Sequence, residues 1–586
     1  MSAVGDLTGA PAPAPAAPRD SGAPPAAPAA SRSGLALLPL TWAALAVLVL
    51  GPVLYVVVAS VLSQPTDLGS GFDFSAAREV FTTAHMLRLL GETIVFALVV
   101  AALTTVIGTA LAWSTTRLQM RGSRVREVLC IGSLFVAPFV TAVAWIWLAT
   151  PQTGVLNRYL HDAHVPGWLQ PDVLSVGGMV FVLVTHFVPY SYFFVSAAMR
   201  GMDPTLEEAS LVNGRNLLST TLRISLPMIR PAILSSALFV AILSMGEFTV
   251  PSILGQGGAF QPLSVEVYKA LYGDVQDIPL GASISAELLI TCLVGLYLYQ
   301  RTVRSSGRYV SVGGRGHRDG RIRVRRGTAA VVWVLTAGYG LVAFVIPFAA
   351  LVLMSLSKYL APSIGDMHLS FANLWNTIDT GEIRTATLHS VILAVVVPVV
   401  CIAIGLAVVY LSDRLRMPTS GAMVYIATAP LALPGLVMGM GVLLLFIRTP
   451  LYLTLPIIAI GLVSISLTHA VRLISNGFHQ IDPTLEEASL VCGASRLRTV
   501  WSVLLPLIRP SVFSAFTLIF VLALRELNVA VVLYSPDSNV LSVVAWNYSE
   551  SALTKAAAVG VLQVVVMFVG MGILRLVLNP DRKKAS

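Results

Sequence analysis

The strongest constraint on this chain is a series of long apolar runs that contain no charged side chain. Leu35 to Val61 and Thr93 to Ala112 are two of them, each about as long as a helix needs to cross a hydrocarbon core of roughly 30 Å. Runs of spanning length recur about twelve times, at approximately 35–61, 93–115, 128–150, 174–199, 231–254, 281–300, 328–355, 387–411, 421–447, 453–476, 511–534 and 556–578. Only 11% of the residues are charged and 56% are hydrophobic, against roughly 25% charged in an ordinary soluble domain. Water is excluded as the main solvent, and the expectation is an all-α polytopic membrane protein of about twelve transmembrane helices.

Residues 1–34 form a Pro/Ala tract that cannot bury enough apolar surface to offset its own ordering, and a disordered tail is expected there. The run behind it is too long for a cleavable signal peptide and has no small-residue cleavage site after it, which fits a signal anchor. Between the sixth and seventh runs, Arg301 to Gly327 is rich in Gly and Arg and lacks apolar periodicity, the mark of a solvated linker. The expected divisions are a tail over 1–34, a first half over 35–305, a basic linker over 306–327 and a second half over 328–586.

The net charge of +9 comes largely from arginines in short loops beside the apolar runs, a pattern of membrane topology and not of nucleic-acid binding. Arg117, Arg121, Arg124, Arg126, the linker arginines, Arg414, Arg416, Arg582, Lys583 and Lys584 fall on one side of a twelve-span arrangement. That side, with both termini, is predicted to be cytoplasmic. Cys130, Cys292, Cys401 and Cys492 give neither a disulfide framework nor metal-ligand spacing.

An internal repeat narrows the architecture further. Met202 to Pro231 reads MDPTLEEASLVNGRNLLSTTLRISLPMIRP and Ile481 to Pro510 reads IDPTLEEASLVCGASRLRTVWSVLLPLIRP, aligned without a gap at an offset of 279. Glu247 and Glu526 keep that offset in the next run. Upstream, Ile107 to Met120 resembles Ile404 to Met417 at an offset of 297, so the first half carries about eighteen extra residues, which fit the external loop around Arg158 to Asp172. An even number of spans separates the copies, so the two six-helix halves are parallel repeats with their polar segments on the same side.

Each polar segment opens with an Asp-Pro pair, Asp203-Pro204 and Asp482-Pro483, which supplies an N-cap oxygen and a residue suited to a first helical turn. A short helix is predicted over Thr205 to Val212 and again over Thr484 to Val491. Gly214 and Gly493 are placed to end it in a left-handed conformation. A second helical segment then runs to Leu226-Pro227 and Leu505-Pro506. Taken alone, each copy could be an amphipathic loop helix with solvated glutamates; two matched copies argue for a shared task.

The pattern Glu-Ala-Ala, three residues, Gly, nine residues, Ile, any residue, Leu-Pro resembles the cytoplasmic loop motif of type I bacterial ABC importer permeases. Glu208, Ala209, Ser210, Gly214, Ile224, Leu226 and Pro227 fit it, as do Glu487, Ala488, Ser489, Gly493, Val503, Leu505 and Pro506, with Ser for the second Ala in both copies and Val for Ile in the second. The resemblance covers nearly the whole chain beyond the tail. It implies that each segment is a coupling helix that docks on an ATPase subunit, with Glu207, Glu208, Ala209, Ser210 and Gly214 in the first copy and Glu486, Glu487, Ala488, Ser489 and Gly493 in the second. In that family Glu208 and Glu487 would meet arginine on the ATPase, Ala209 and Ala488 would allow close approach, and the glycines would set the bend. It further implies two copies of an ATP-binding subunit, an extracytoplasmic substrate-binding protein, surrounding membrane lipid and a place in the bacterial cytoplasmic (inner) membrane.

The chain itself carries no sign of catalysis. None of its five lysines follows a glycine, so it has no Gly-x4-Gly-Lys phosphate loop, and ATP and Mg are expected on the partner. Charges inside apolar runs are costly unless paired or facing water, which makes Glu247 and Glu526 the candidates for the translocation pathway or an outer gate; local pairing of Glu526 with Arg525 is the competing reading. Helical rise places both about 24 Å beyond the Pro that starts each span, toward the external side. His186 and His469 receive no role, and Pro138, Pro189, Pro430 and Pro434 are expected to mark kinks. Fused permeases of this kind resemble those serving ferric iron, thiamine and aminoethylphosphonate, and the segment Arg525 to Tyr548 points to ferric iron first. Thiamine, phosphonate or polyamine import is the alternative within the class, and an ion-coupled secondary transporter the alternative outside it.

Overall fold

A computed structural model describes residues 32–67, 69–258, 260–306, 322–361, 363–415 and 417–578. Of the sequence expectations, most of the tail, most of the linker, Arg416 and the basic residues Arg582, Lys583 and Lys584 lie outside the described residues. Among those described, eight helices are long and apolar enough to span a membrane, and the total reaches twelve if each of four bent helix pairs counts as one span. The first six spans are Leu37–Ala59, Ala84–Thr116, the pair Ser123–Phe135 and Pro138–Ala149, Val176–Arg200, the pair Leu217–Met228 and Arg230–Met245, and Ile278–Thr302. The second six are Arg326–Leu356, Gly381–Arg414, the pair Ser420–Ala432 and Gly435–Phe446, Leu455–Phe478, the pair Arg496–Leu507 and Arg509–Arg525, and Leu553–Leu576. The twelve apolar runs thus correspond one to one with helical elements.

The bends fall where prolines remove backbone donors. The third span turns by 95° and the ninth by 115°. The residues before Pro138 and Pro434, Ala137 and Leu433, are extended (ψ 146° and 128°), as expected of a residue whose helical conformation the following proline ring crowds. Pro189 is different, for the helix Val176–Arg200 runs through it unbroken. A proline withholds the N–H that the carbonyl four residues earlier needs; here that carbonyl, on Thr185, accepts the Tyr339 hydroxyl of the seventh span at 3.0 Å. The carbonyl that Pro189 leaves without its amide is thus satisfied by a donor from the other half of the chain.

The fifth and eleventh spans are shorter than their apolar runs. Their helices stop at Met245 and Arg525, and the chain continues through short helices, Thr249–Leu254 and Leu263–Tyr272 in one half, Ala530–Leu533 and Leu541–Ser551 in the other. The helix starts at Leu263 and Leu541 are held alike: the Leu263 amide donates to Thr93 Oγ1 at 3.2 Å and the Leu541 amide to Ser390 Oγ at 2.9 Å. Thr93 and Ser390 are related by the offset of 297 seen upstream in the repeat. The extra length of the first half lies in residues 150–175, where the helix Val155–Asp162 and a 3-10 turn Gly167–Leu169 form, with Asn157 Nδ2 donating to the carbonyls of Thr150 and Pro171.

The halves interlock. The first span packs on the ninth, where Gly441 leaves so little room that an added Cβ would lie 2.4 Å from the Pro52 carbonyl oxygen, and Trp42 Nε1 donates to Thr419 Oγ1 at 3.2 Å. The seventh packs on the third, with Gly340 against Leu129 and Gly132 against Phe344. Each half therefore lends its opening span to the other. Within the expected linker, Ile322–Arg323 pairs in parallel with Leu118–Gln119 at the end of the second span.

The close approach at Gly441 predicts that Gly441→Ala costs about 1–3 kcal/mol and lowers the melting temperature of the purified chain. Gly572→Ala, where a Cβ meets nothing within 4 Å, should leave it unchanged; equal effects at the two sites would contradict the cross-half packing.

Candidate functional site

The two short polar helices form as the sequence predicts, over Thr205–Val212 and Thr484–Val491. Asp203 Oδ1 accepts the Thr205 amide at 2.9 Å and Asp482 Oδ1 the Thr484 amide at 3.0 Å. Those bonds stabilise the ionised form and hold both exposed carboxyls below their ordinary pKa. At the other end Gly214 and Gly493 have φ +80° and +83°. The Arg215 amide reaches back to Ser210 O and the Gly214 amide to Leu211 O, the paired bonds of a Schellman cap. Ala494 to Ser489 and Gly493 to Leu490 repeat it.

What the sequence could not separate is the roles of the two adjacent glutamates. Glu207 and Glu486 are turned inward and buried. Glu207 Oε2 lies 3.5 Å from Arg117 Nε, and its Oε1 accepts the Ser225 hydroxyl. Glu486 Oε2 lies 3.7 Å from Arg414 Nε, and its Oε1 accepts the Tyr410 hydroxyl at 3.0 Å. Arg414 also donates to the carbonyls of Phe478 and Ile481. Arg117 and Arg414 sit at the cytoplasm-assigned ends of the second and eighth spans and are repeat equivalents at offset 297. Ser210 and Ser489 are internal as well, bonded to Thr220 and Thr499 at 2.8 and 2.9 Å. The expected ten-residue docking set therefore divides: Glu207, Glu486, Ser210 and Ser489 fasten the helices to the spans, and Glu208, Ala209, Glu487 and Ala488 are exposed. Leu206 and Val212, and likewise Leu485 and Val491, extend the same exposed surface, a contiguous apolar strip beside one acid in each copy.

A second candidate lies between the halves, a cavity of about 180 Å³ lined by the ends of broken helices. Glu247, Glu526, Arg525, His186, His469 and Tyr190 contribute its polar surface, and Pro138, Pro430 and Pro434 its wall. His186 and His469, within the fourth and tenth spans, line the same cavity as the two glutamates, which follow directly on the ends of the helices Arg230–Met245 and Arg509–Arg525. The Glu247 carboxylate accepts the Thr249 amide at 3.1 Å, and the main-chain carbonyls of Glu247 and Glu526 accept the hydroxyls of Ser264 and Ser542. Thr249 and Asn528, repeat equivalents at offset 279, meet directly at 2.9 Å, so the approximate two-fold relation between the halves passes here.

The charge of Arg525 acts on the adjacent Glu526, but its hydrogen bonds go elsewhere. Its guanidinium donates to the Leu134 carbonyl and, at 3.0 Å, to the Tyr190 hydroxyl, both in the first half. Sequence reading also left out Glu287, a carboxylate buried in the sixth span and outside the cavity lining, and gave the histidines no place on the cavity. Ungapped extension of the repeat would have flagged the lining, since it pairs His186 with Ile465 and Tyr190 with His469, all four of which line the cavity. Among the described residues no three His, Cys, Asp or Glu side chains converge to hold a metal ion.

Comparison with known proteins follows the repeat. The family described as binding-protein-dependent transport system inner membrane component matches residues 107–304 and again residues 400–584. The ferric transport system permease protein FbpB of Actinobacillus pleuropneumoniae is 25% identical over 529 residues, 88% of this chain and 74% of that protein. The Fe(3+)-transport system permease protein FbpB 2 of Haemophilus influenzae is 24% identical over 548 residues, 92% of this chain and 98% of that protein. The spermidine/putrescine transport system permease protein PotB of Salmonella typhimurium is 27% identical over 276 residues, covering 44% of this chain and 92% of its own length.

The division of the glutamates has a direct test. Glu207→Ala leaves Arg117 buried without its partner and should cost about 3–5 kcal/mol, as removal of one member of a buried pair does, seen as a lower melting temperature in detergent. Glu208→Ala removes an exposed acid and should stay within about 0.5 kcal/mol of the parent. A reversed order would contradict the assignment.

Proposed function

Because the chain belongs to the family of binding-protein-dependent transport system inner membrane components, present twice in one polypeptide, we propose that this importer permease carries ferric iron and serves alone where such systems need a pair of permease halves. The chain is a multi-pass inner-membrane protein and forms the path of an ABC importer; it is not itself an enzyme. Two copies of a separate ATP-binding subunit, holding ATP and Mg, dock on Thr205–Val212 and Thr484–Val491, and an extracytoplasmic binding protein delivers cargo from the other side. Both termini lie in the cytoplasm, as the placement of the basic residues supports.

The observation that carries this reading is the matched pair of exposed strips, Leu206, Glu208, Ala209 and Val212 in one half and their equivalents in the other, on helices fastened to the spans through Glu207 and Glu486. A rigid helix tied to the second and fourth spans passes a rigid-body motion of a bound partner to the spans themselves, which alternating access requires. Ferric iron is favoured over polyamine because the relatives named for ferric transport extend over 88% and 92% of this chain, whereas the polyamine relative matches one half. Two carboxylates on the cavity suit a cationic cargo, and the lack of a converging ligand set among the described residues suits a path that releases its ion instead of retaining it.

The test is reconstitution of the chain with its ATP-binding subunits and binding protein in liposomes, followed by uptake of radioactive ferric iron. Uptake should require ATP, and Glu208→Ala with Glu487→Ala should reduce it by at least about tenfold, the factor that 1.4 kcal/mol of lost coupling produces. Uptake that persists without the ATP-binding subunit would overturn the importer reading, and ATP-driven uptake of spermidine or thiamine in place of iron would overturn the cargo alone.

A further inference from the structure

We propose that Arg525 is a latch between the two halves, which holds the central cavity shut and releases each time the permease changes its access; this rests on the alternating-access reading above. The starting point is the Leu134 carbonyl. In a continuous helix it would accept the amide of the residue four further on, but that residue is Pro138, which has none. In a membrane a carbonyl without a partner is tolerated only where other protein groups or a water-filled cavity satisfy it. Arg525, at the last turn of the eleventh span, supplies the donor from the opposite half and gives its second nitrogen to Tyr190 of the fourth span at 3.0 Å. One side chain of the second half thus ties down both the broken third span and the fourth span of the first.

The repeat shows that this contact is not a general requirement of the fold. The position equivalent to Arg525 at offset 279 is Gly246, which has no side chain to donate. It seats against Pro434 of the ninth span so closely that an added Cβ would lie 2.6 Å from Pro434 Cβ. On one side of the two-fold relation the cavity wall is closed by packing alone, and on the other by charge-assisted hydrogen bonds. Packing against a proline resists sliding, whereas the Arg525 bonds can be exchanged for water once the cavity is hydrated, because the carbonyl, the hydroxyl and the guanidinium all retain partners in water. Both Arg525 and Tyr190 line the cavity, so hydration of that space reaches the bonds that keep it closed. Opening is therefore expected to begin on the Arg525 side, with the Gly246 and Pro434 contact as the pivot.

The experiment uses the full chain assembled with its ATP-binding subunits in nanodiscs. Ile465, on the cavity wall, is replaced by cysteine as a reporter, and the exposed Cys492 by serine; the other three cysteines are buried. The rate of labelling by a membrane-impermeant maleimide is measured without nucleotide, together with ATP hydrolysis in the absence of binding protein. Arg525→Gln should raise the labelling rate about tenfold and Tyr190→Phe, which deletes one of the two bonds, by roughly threefold, with a parallel rise in basal hydrolysis. Should Arg525→Gln fail to assemble, Tyr190→Phe carries the test. Labelling rates equal to the parent's in a variant of unchanged melting temperature would overturn the latch, as would lost uptake without any rise in labelling. An importer reading that is itself wrong shows separately, as uptake in the parent that does not depend on ATP.

Discussion

Every backbone polar group that enters the hydrocarbon must find its partner within the protein, and this single constraint decides both where the helices may break and how the halves are joined. Among the prolines of the first half, Pro138 and Pro189 leave the carbonyls of Leu134 and Thr185, four residues earlier, without a helical amide. Both are satisfied by side chains of the second half, Arg525 and Tyr339. Where the added donor is the Tyr339 hydroxyl, the helix Val176–Arg200 runs on past the proline. Where it is a guanidinium on a cavity wall, the helix turns by 95°. The interface between the halves is written into the helices by the donors they lack, and fusion of the halves in one chain keeps those complementary groups in fixed proportion.

The same logic of an inward partner governs the cytoplasm-assigned helices. A helix of two turns has little stability of its own, yet here it must keep its orientation under load. Caps at both ends, the inward glutamate paired with an arginine from the end of a spanning helix, and the inward serine bonded to the following segment fix it on three sides. That leaves one face free. Transmission of motion then depends on contacts within this chain as much as on contacts with a partner, and residues such as Arg117 and Arg414 matter to coupling without touching the ATP-binding subunit.

Much of this was legible in the residues. The apolar runs located the eight long apolar helices and the four bent pairs, the gapless repeat predicted the parallel halves, and Asp203, Gly214 and their equivalents predicted the ends of the short helices, because caps are local and their chemistry depends on neighbours within a turn. What was not legible depends on distant partners. Glu207 and Glu208 are adjacent and chemically the same; which one faces inward is decided by Arg117, some ninety residues earlier, and aligning Arg117 with Arg414 at offset 297 does not show that either arginine reaches a short helix. The cavity was not legible because Glu247, Glu526, His186 and His469 come to it from four different spans. Pro138 and Pro189 look alike in sequence, yet one starts a helix after an extended residue and the other lies inside one.

The central claim is that one chain, with two matched docking helices, stands in for a pair of permease subunits. Native mass spectrometry of the intact complex released from nanodiscs measures this directly. The account predicts one copy of this chain with two copies of the ATP-binding subunit, reduced to a single copy when the exposed strip of one docking helix is replaced by charged residues. A complex with two copies of this chain, or one in which altering both strips leaves the two ATP-binding subunits in place, would contradict it.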